Sequence, residues 1–292
     1  MLKISIVIPV FNMVDTIEQT LSSIWDQNYK NLQLIVMDGA STDGTKEFLE
    51  LHKDKIDIFI SEKDNGQYHA IQKGMSLATG EVVSWLNADD IYFPWTFNRV
   101  NLFFQSFEKI NWIVGLPSFL DCSGNITHIY NNLSARPNKL IRNGAFRNNV
   151  FGYLQQESMF FRKSLWDKIG GLDLNYNLAA DFELWTRFAT ISSVISVNIP
   201  LSGFRIDDNS RSKKYIRIYE QEVDQIVKSL GRNYSLIQLL SKSNIINKLI
   251  RLLTYRKQKV IFYSITKRKW ICKSFILPVS SISFQNLRLE VL

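Results

Sequence analysis

The chain of 292 residues contains only two cysteines, Cys122 and Cys272, and their separation matches no metal-binding motif. So few cysteines exclude a disulfide-stapled secreted scaffold and favour a reduced, cytoplasmic protein. The sequence has no run of about 18 uncharged apolar residues, so it predicts no membrane-spanning helix. Residues 1–9 are apolar but lack a basic n-region and a small-residue cleavage site, so we expect a first strand there rather than a signal peptide.

Two nucleotide-binding motifs are missing as well. Residues 10–13, which follow the first predicted strand, contain no G-x-G-x-x-G, so a dinucleotide cofactor of the usual kind is not supported. Residues 39–46 resemble a P-loop, but threonine precedes the lysine and an aspartate stands where a phosphate would lie. The three histidines do not form a spaced metal set, and each is interpreted as an ordinary surface or core residue: His52, His69 and His128.

Acidic residues are absent between positions 225 and 289, so the net charge of +8 conceals two different regions. Residues 1–210 contain 18 Lys and Arg against 23 Asp and Glu, whereas residues 211–275 contain 16 against 3. We therefore predict a slightly acidic body at residues 1–210 and a basic extension at residues 211–292. Apolar residues recur at helical spacing in residues 213–275, which indicates that the extension is mainly helical.

Two interpretations of the basic extension stay open. In one, residues 213–275 attach the protein to an anionic membrane surface, where a lipid-linked acceptor is presented. In the other, the extension is a helical appendage that packs on the body with its lysines in solvent. The charge would also suit nucleic acid, but the sequence contains no recognised nucleic-acid-binding motif, so we expect no nucleic-acid partner.

Strand and helix patterns alternate four times in about the first 90 residues. Short runs rich in β-branched residues are typical of buried strands, and they occur at residues 4–10, 32–37, 56–60 and 82–86. The segments between them place apolar residues at helical spacing. This alternation predicts an α/β fold with a mostly parallel central sheet, right-handed crossovers and flanking helices.

Acidic residues follow three of the four predicted strands. Asp38 ends the second strand, Asp64 lies in the loop after the third, and Asp89 and Asp90 follow the fourth. Ligands bind at the carboxyl ends of parallel strands, so we expect one acidic mouth there. Such a mouth suits Mg²⁺ or Mn²⁺ held by one or two carboxylates and by substrate phosphates. For the adjacent pair, a role at the start of a helix around residues 94–96 is the alternative.

A second acidic pair, Asp181 and Glu183, lies at the predicted start of a later helix. Residues two positions apart on a helix point to different faces, so we expect only one of these carboxylates to address a pocket. For Asp181 taken alone, helix capping is the simpler interpretation.

Four motifs are similar to those of the inverting family 2 glycosyltransferases: SIVIPVFN, VMDGASTDGT, SEKDNGQYHAIQKG and ATGEVVSWLNADD. Within that family the sequence resembles the bacterial cell-surface polysaccharide enzymes. The resemblance covers about residues 3–210 and implies a GT-A fold. It implies a nucleotide-sugar-binding half at residues 1–98 and an acceptor half at residues 99–210, followed by the basic extension.

The resemblance also implies the residues that bind the donor. They lie in loops after the first four strands, on the helix after the third and close to residue 210, and they are Pro9, Val10, Phe11, Asp38, Asp64, Lys73, Asn87, Ala88, Asp89 and Arg211. Asp89 takes the place of the metal-binding aspartate that ends the family's aspartate-any-aspartate motif. The first aspartate of that motif is replaced by Asn87, an amide that can hydrogen-bond a ribose hydroxyl but brings no charge.

Two further positions of the family pattern concern catalysis and the closing loop. Asp181 falls on the catalytic base of the family, and Ala180 stands where an acidic residue is usual. Many relatives have a histidine after the Phe-Arg pair at residues 204–205, and here that position is Asp207. Either Asp207 is a substitute metal ligand, or basic residues such as Arg211 hold the phosphates instead.

The implied activity is transfer of a hexosyl or N-acetylhexosaminyl group from a nucleotide diphosphate sugar. We expect this donor to be a UDP-sugar. The acceptor is a saccharide, expected to be lipid-linked, in surface polysaccharide synthesis. Asp181 would take the proton of the acceptor hydroxyl in a single displacement that inverts the anomeric carbon. The resemblance thus implies a metal-dependent, cytoplasmic enzyme, and the membrane interpretation of the extension would make it peripheral on the inner face of the cell membrane.

Two other classes of function are alternatives to a glycosyltransferase. Asn87, Ala180 and Asp207 favour a non-catalytic scaffold subunit that binds a sugar nucleotide, whereas the retained Asp89 and Asp181 argue against it. A nucleotidyltransferase would need a glycine- and arginine-rich phosphate loop after the first strand, and residues 10–12 offer none.

Overall fold

The computed structural model describes residues 1–130, 133–147, 153–206, 214–231 and 255–279. Its first part alternates strands and helices as predicted, apart from a short 3₁₀ turn at Lys53–Lys55. The elements are β1 (Ile4–Val10), α1 (Val14–Trp25), β2 (Leu32–Asp38), α2 (Thr45–Leu51), β3 (Ile58–Ser61), α3 (Gln67–Leu77) and β4 (Val82–Trp85).

The second part contains shorter strands and the helix that carries Asp181. Its elements are β5 (Ile91–Tyr92), α4 (Thr96–Ser106), β6 (Trp112–Leu116), β7 (Ser118–Leu120), β8 (Ile126–Ile129), α5 (Asn138–Arg142), β9 (Met159–Arg162), α6 (Lys163–Ile169), α7 (Ala180–Ile191), β10 (Ile195–Pro200), β11 (Ser202–Arg205), α8 (Ile216–Ser229), β12 (Tyr255–Ser264) and β13 (Lys269–Pro278). No helix of the described segments is both long enough and apolar enough to cross a membrane.

Nine strands of the described residues form the main sheet, in the order β13-β12-β10-β6-β9-β4-β1-β2-β3. The strands β4, β1, β2 and β3 are parallel, so their carboxyl ends meet at one edge. Strand β9 runs antiparallel between β4 and β6, which brings its first residues to the same edge. The remaining sheet, β5-β11-β7-β8, lies beside that edge through residues that follow β4. The predicted α/β fold with a mostly parallel sheet is confirmed.

Both faces of the sheet are buried at its central strands, such as β1 and β4. Side chains of β1 alternate between two cores, with Ile4, Ile6 and Ile8 in one and Val7 in the other. On the Val7 side, α7 lies against the sheet through Trp185, whose indole stacks on Trp85 of β4 with ring centroids 5.6 Å apart. Aromatic stacking of this kind adds to the large apolar area that each indole buries, so it fixes the position of α7 over the sheet.

The extension differs from the prediction in one described segment. We expected residues 211–292 to be mainly helical; α8 is a helix, but residues 255–278 form a hairpin, so the prediction is wrong for that segment. Strand β12 joins the main sheet by pairing with β10, Ser196 facing Val260. The buried Gln258 side chain accepts a hydrogen bond from the backbone N–H of Arg136 and donates one to Val194 O, both at 2.9 Å. Pairing with the sheet therefore overrides local helical character.

Candidate active site

Asp38 organises the loops at the carboxyl edge of the sheet. Its side chain is only 2% exposed, and its two oxygens accept hydrogen bonds from Ser41 Oγ at 2.5 Å and Ser61 Oγ at 2.6 Å. Ser41 Oγ in turn accepts a hydrogen bond from the backbone N–H of Asn12 at 2.8 Å. The carboxylate therefore ties together the loops that follow β1, β2 and β3, next to the expected nucleotide site.

Phe11 and Asp64 face each other across Gly39. A Cβ atom added to Gly39 would lie 3.2 Å from both the Phe11 ring and Asp64 Oδ2, so glycine permits this close approach. The Phe11 side chain is 57% exposed although it is large and apolar. The Asp64 carboxylate accepts a hydrogen bond from the Gly66 N–H. A nucleotide base could stack on the exposed Phe11 ring, and a ribose hydroxyl could hydrogen-bond to Asp64.

Three other predicted donor residues are either buried or already paired. Pro9 and Val10 are buried within β1, where Val10 O accepts a hydrogen bond from the Gly39 N–H at 2.9 Å. Lys73 lies on α3 and forms an ion pair with Glu62, in which both side chains are largely exposed. A donor phosphate that used Lys73 would have to compete with this pair, although exposed pairs of this kind are weak.

The segment after β4 is fixed by neutral hydrogen bonds. Asn87 Oδ1 accepts a hydrogen bond from Gln67 Nε2 at 2.6 Å, and Ala88 O accepts hydrogen bonds from the hydroxyls of Thr16 and Thr20 at 2.8 and 2.9 Å. Ala88 itself is buried. Asp89, the next residue, keeps a partly exposed side chain, so the expected metal-contacting carboxylate stands on a rigid backbone.

Asp90 and Arg205 form a buried connection between this segment and β11. Asp90 Oδ1 accepts a hydrogen bond from Arg205 N at 2.9 Å, and the Arg205 guanidinium donates hydrogen bonds to Asp89 O, Cys122 O and Gln19 Oε1 at 2.6 to 2.7 Å. Burial, together with the charges of Asp89 and Glu157, holds the pKa of Asp90 well above its usual range. Asp90 thus acts as a bridge between strands, and it does not cap α4, which begins at Thr96.

Glu157 is a further carboxyl group at this edge, and the sequence does not predict its role. Its side chain is 4% exposed, and its Oε1 atom has no hydrogen-bond partner among the described residues. Burial raises the pKa of Glu157 to about 8, and repulsion from Asp89 and Asp181 acts in the same direction. The available signal was an acidic residue directly before an apolar strand, in Gln156-Glu157-Ser158.

Asp181 lies in the first turn of α7 and interacts with Tyr68, a residue of α3 that the sequence analysis did not single out. The Tyr68 hydroxyl donates a hydrogen bond to Asp181 Oδ1 at 2.8 Å. Burial raises the pKa of Asp181, and the Tyr68 hydrogen bond opposes this rise. Glu183 instead binds Arg187 on the same helix, with N–O distances of 2.6 and 2.5 Å. Glu183 is therefore held by its own helix, and the role of Asp181 in the site stays a prediction.

A small pocket lies beside Asp181. Apart from the aspartate, its lining is aromatic and aliphatic, namely Ile141, Phe146, Tyr153, Leu154, Phe182, Trp185 and Tyr219. Aromatic side chains offer flat apolar faces with polar edges. The pocket therefore combines a proton acceptor with surfaces suited to the apolar face of a ring.

The position of the Asp181 turn also depends on the extension. Glu222 of α8 accepts hydrogen bonds from three consecutive backbone N–H groups, those of Asn177, Leu178 and Ala179, at 2.8 to 2.9 Å. The side chain is buried. Three charge-assisted hydrogen bonds on successive residues hold the loop that leads into α7.

The structure thus collects the predicted acidic residues of the body at one edge of the sheet. Asp207 and Arg211, the remaining predicted ligands, lie outside the described residues. Within the described segments, no three His, Cys, Asp or Glu side chains form a preassembled metal cluster. Asp89 still fits a divalent cation, because it lies beside Asp90 and Glu157, two buried acids whose pKa values are raised. A cation would relieve the electrostatic repulsion among these carboxyl groups.

Known proteins with similar sequences are glycosyltransferases. An uncharacterized glycosyltransferase of Rickettsia typhi is 26% identical over 211 residues, which cover 70% of this chain and 64% of that protein. A PGL/p-HBAD biosynthesis glycosyltransferase of Mycobacterium bovis is 28% identical over 190 residues, covering 63% of this chain and 68% of that protein. The alignment spans less of some relatives, such as 34% of a Rickettsia felis glycosyltransferase.

Solved structures share the fold of this chain. Residues 1–349 of Staphylococcus aureus TarS, in complex with UDP-GlcNAc, match with a TM-score of 0.58 and 14% identity, over 78% of this chain and 71% of that one. The mannosyltransferase PcManGT of Pyrobaculum calidifontis, in complex with GDP-Man and Mn²⁺, matches with a TM-score of 0.56 and 20% identity, over 80% and 65%. These likenesses establish the GT-A fold.

The family model described as glycosyl transferase family 2 matches residues 5–168, which is more than half of the chain. That range contains the acidic edge with Asp38, Asp64, Asp89 and Glu157, and it ends shortly before the helix of Asp181. The chain therefore belongs to glycosyl transferase family 2.

Proposed function

We propose that the protein transfers a sugar from a nucleotide diphosphate sugar to a saccharide hydroxyl with inversion of the anomeric carbon. The observation that carries this proposal is the arrangement of Asp89 and Asp181. One carboxylate stands at the end of β4 where a diphosphate would bind, and the other stands in a separate pocket that can hold an acceptor. Glu157 interacts electrostatically with both, which supports a single site.

The donor site is formed by the loops after β1 to β4. Phe11 stacks on the base, Asp64 accepts a hydrogen bond from a ribose hydroxyl, and Asn87 hydrogen-bonds the ribose without adding charge. TarS and PcManGT were solved with UDP-GlcNAc and GDP-Man respectively, which supports a nucleotide diphosphate sugar as the class of donor, with a UDP-sugar the first to test. The transferred group is a hexosyl or an N-acetylhexosaminyl group.

Asp89 is the residue that would hold Mg²⁺ or Mn²⁺. When bound, the cation would neutralise the negative charge that develops on the departing diphosphate. Asp207 and Arg211 lie outside the described residues; one of them is proposed to contribute, Asp207 as an oxygen ligand or Arg211 as a phosphate-binding cation. The backbone of Asp89 is held by Arg205, so the carboxylate is oriented before the donor arrives.

Asp181 acts as the general base. It takes the proton from the acceptor hydroxyl while that oxygen forms a bond to the anomeric carbon, and the bond between that carbon and the diphosphate oxygen breaks. Tyr68 orients the base by donating to Oδ1. The raised pKa of Asp181 strengthens it as a proton acceptor, provided that the pH stays above that pKa.

The acceptor is a saccharide, and a lipid-linked one in surface polysaccharide synthesis fits two features. The pocket beside Asp181 is lined mainly by aromatic rings. The β12–β13 hairpin exposes basic side chains suited to an anionic membrane surface, at Arg256, Lys257, Lys259, Lys267, Arg268, Lys269 and Lys273. We propose that the protein works on the inner face of the membrane as a peripheral protein.

The test is donor binding by calorimetry across a panel of nucleotide sugars, with Mn²⁺, Mg²⁺ or EDTA. The proposal expects one preferred donor whose affinity falls in EDTA and in Asp89→Ala, and slow hydrolysis of that donor without acceptor. Binding without turnover, even with membrane extracts as acceptor, would favour the alternative of a non-catalytic scaffold subunit. Failure to bind any nucleotide sugar would contradict the proposed function.

A further inference from the structure

Glu157 lies close to the predicted donor-binding residues that follow β4. Strands β4 and β9 are antiparallel, with Val82 facing Arg162 and Val83 facing Phe161. Glu157 lies in the turn directly before β9, in which the Met159 N–H donates a hydrogen bond to Gln156 O at 2.9 Å, and its charge interacts with that of Asp89. The hydrogen bond from Gln156 Nε2 to Trp85 O, at 2.6 Å, holds the residues before β9 against the end of β4.

The Glu157 carboxyl group accepts a hydrogen bond from its own backbone N–H, a local contact that does not explain its burial. Neighbouring residues hold the start of β9: Gln156 through Trp85, and Ser158 O by accepting the Gly115 N–H at 3.1 Å. The Oε1 atom of Glu157 is buried and has no partner among the described residues. An unpaired buried polar atom lowers the free energy of unfolding, so a Glu157 with a purely structural role would destabilise the fold.

Glu157 also lies in the right place to meet the transferred sugar. In the proposed reaction the diphosphate is at Asp89 and the acceptor hydroxyl is at Asp181, so the sugar ring must lie between these two residues. Glu157 is within electrostatic range of both. A carboxyl oxygen at this place accepts a hydrogen bond from a ring hydroxyl, which is the polar partner that the buried atom lacks.

We propose that Glu157 selects the donor sugar by accepting a hydrogen bond from a hydroxyl group of the transferred ring. This inference rests on the proposed function and deepens it, because it names the residue that distinguishes sugars within the same nucleotide. The ligand class is a hexose that carries a hydroxyl on the side facing β9. The corresponding deoxy sugar leaves Glu157 unpaired and binds more weakly.

The experiment compares two ligands on the full chain: the nucleotide sugar that wild type binds best and its nucleoside diphosphate alone. Calorimetry is performed with wild type, Glu157→Leu and Glu157→Gln, and with Glu81→Gln as a matched control at the opposite end of β4. Glu157→Leu is expected to bind the nucleotide sugar about 10- to 100-fold more weakly and the nucleoside diphosphate equally well. Glu157→Gln keeps an acceptor oxygen and retains part of the affinity.

Thermal unfolding separates this role from a structural one. Glu157→Leu removes an unpaired polar atom, so its melting temperature is expected to equal or exceed that of wild type. A lower melting temperature with equal loss of both ligands would overturn the inference in favour of a structural role. Wild-type affinity of Glu157→Leu for the nucleotide sugar would overturn it and leave the proposed function intact. If wild type itself binds neither ligand, both fail.

Discussion

Glu222 accepts a hydrogen bond from the backbone N–H of Ala179 at 2.8 Å, directly before the turn that carries Asp181. The same carboxylate accepts the N–H groups of Asn177 and Leu178. Glu222 belongs to the basic extension, whereas Asp181 belongs to the body that carries the family motifs. The extension therefore contributes directly to the geometry of the proposed catalytic base.

Replacing Glu222 by glutamine tests this contribution. The amide keeps one acceptor oxygen and turns a donor toward backbone N–H groups, so we expect a loss of about 1–3 kcal/mol in the free energy of unfolding. We also expect kcat to fall more than donor affinity, because the loop before Asp181 loosens while the β1–β4 edge is untouched. Urea unfolding and steady-state kinetics measure the two effects. Glu220→Gln, an exposed change on the same helix, is the control, and equal behaviour of the two variants would refute the role.

Tyr68→Phe removes the hydroxyl that donates to Asp181 Oδ1. Because that hydrogen bond lowers the pKa of Asp181, its loss raises the pKa further. The base must be deprotonated to act, so the rate falls as the pH drops through this pKa, and the variant should lose activity at a higher pH than wild type. The pH profile of kcat measures the shift. Tyr29→Phe, whose hydroxyl bonds Leu2 O at the other end of the sheet, should leave the profile unchanged.

Arg205→Lys tests whether the buried guanidinium orients Asp89. Lysine cannot reach Asp89 O, Cys122 O and Gln19 Oε1 together, because it lacks the planar fork of donors. We expect weaker binding of the nucleotide sugar in Mn²⁺ and a smaller effect of EDTA than in wild type. Calorimetry with Arg142→Lys, an exposed change on α5, provides the comparison. A variant with wild-type affinity and wild-type metal response would show that Arg205 does not orient the carboxylate.

The raised pKa of Glu157 predicts a pH dependence of stability. The folded chain holds this proton up to a pKa of about 8, against an ordinary value of 4.5. Its contribution to the free energy of unfolding is therefore fully present below pH 4.5 and is lost as the pH rises toward 8, on the order of 2–5 kcal/mol. Glu157→Gln does not titrate, so its stability relative to wild type should rise across this range. Parallel stability curves for the two proteins would contradict the assignment.

The sequence was sufficient to predict the acidic edge because strand ends are local features. Asp38, Asp64 and Asp89 each follow a short run of β-branched residues, and parallel pairing brings such ends together whatever the details of packing. Asp181 could be placed at a helix start for the same reason. The interpretation of Asp90 needed the structure, since its partner Arg205 is distant in sequence and has no periodic signal.

The partners of the site residues could not be predicted, because they are tertiary contacts. Tyr68 meets Asp181 and Glu222 meets the loop before it only after α3, α7 and α8 pack together. Glu157 could not be identified as a site residue from the sequence for a different reason. One acidic residue beside an apolar strand usually marks a strand end at the surface. Its burial follows from β9 being inserted between β4 and β6.

The sequence does not predict the hairpin at residues 255–278, because the apolar spacing in the extension is typical of a helix. Gln258 is the residue that explains the difference, since its amide bonds two backbone groups of the body and fixes β12 beside β10. A strand that joins an existing sheet takes its stability from such contacts more than from its own propensity.

The central claim is that Asp181 removes the proton of the acceptor hydroxyl, and Asp181→Asn tests it most directly. Asparagine has the same shape but cannot accept that proton, so the measurement is kcat for sugar transfer together with calorimetric affinity for the nucleotide sugar. We predict a fall in kcat of about 10²- to 10⁴-fold with unchanged donor affinity and an intact fold by circular dichroism. Transfer by the variant at the wild-type rate would contradict the account.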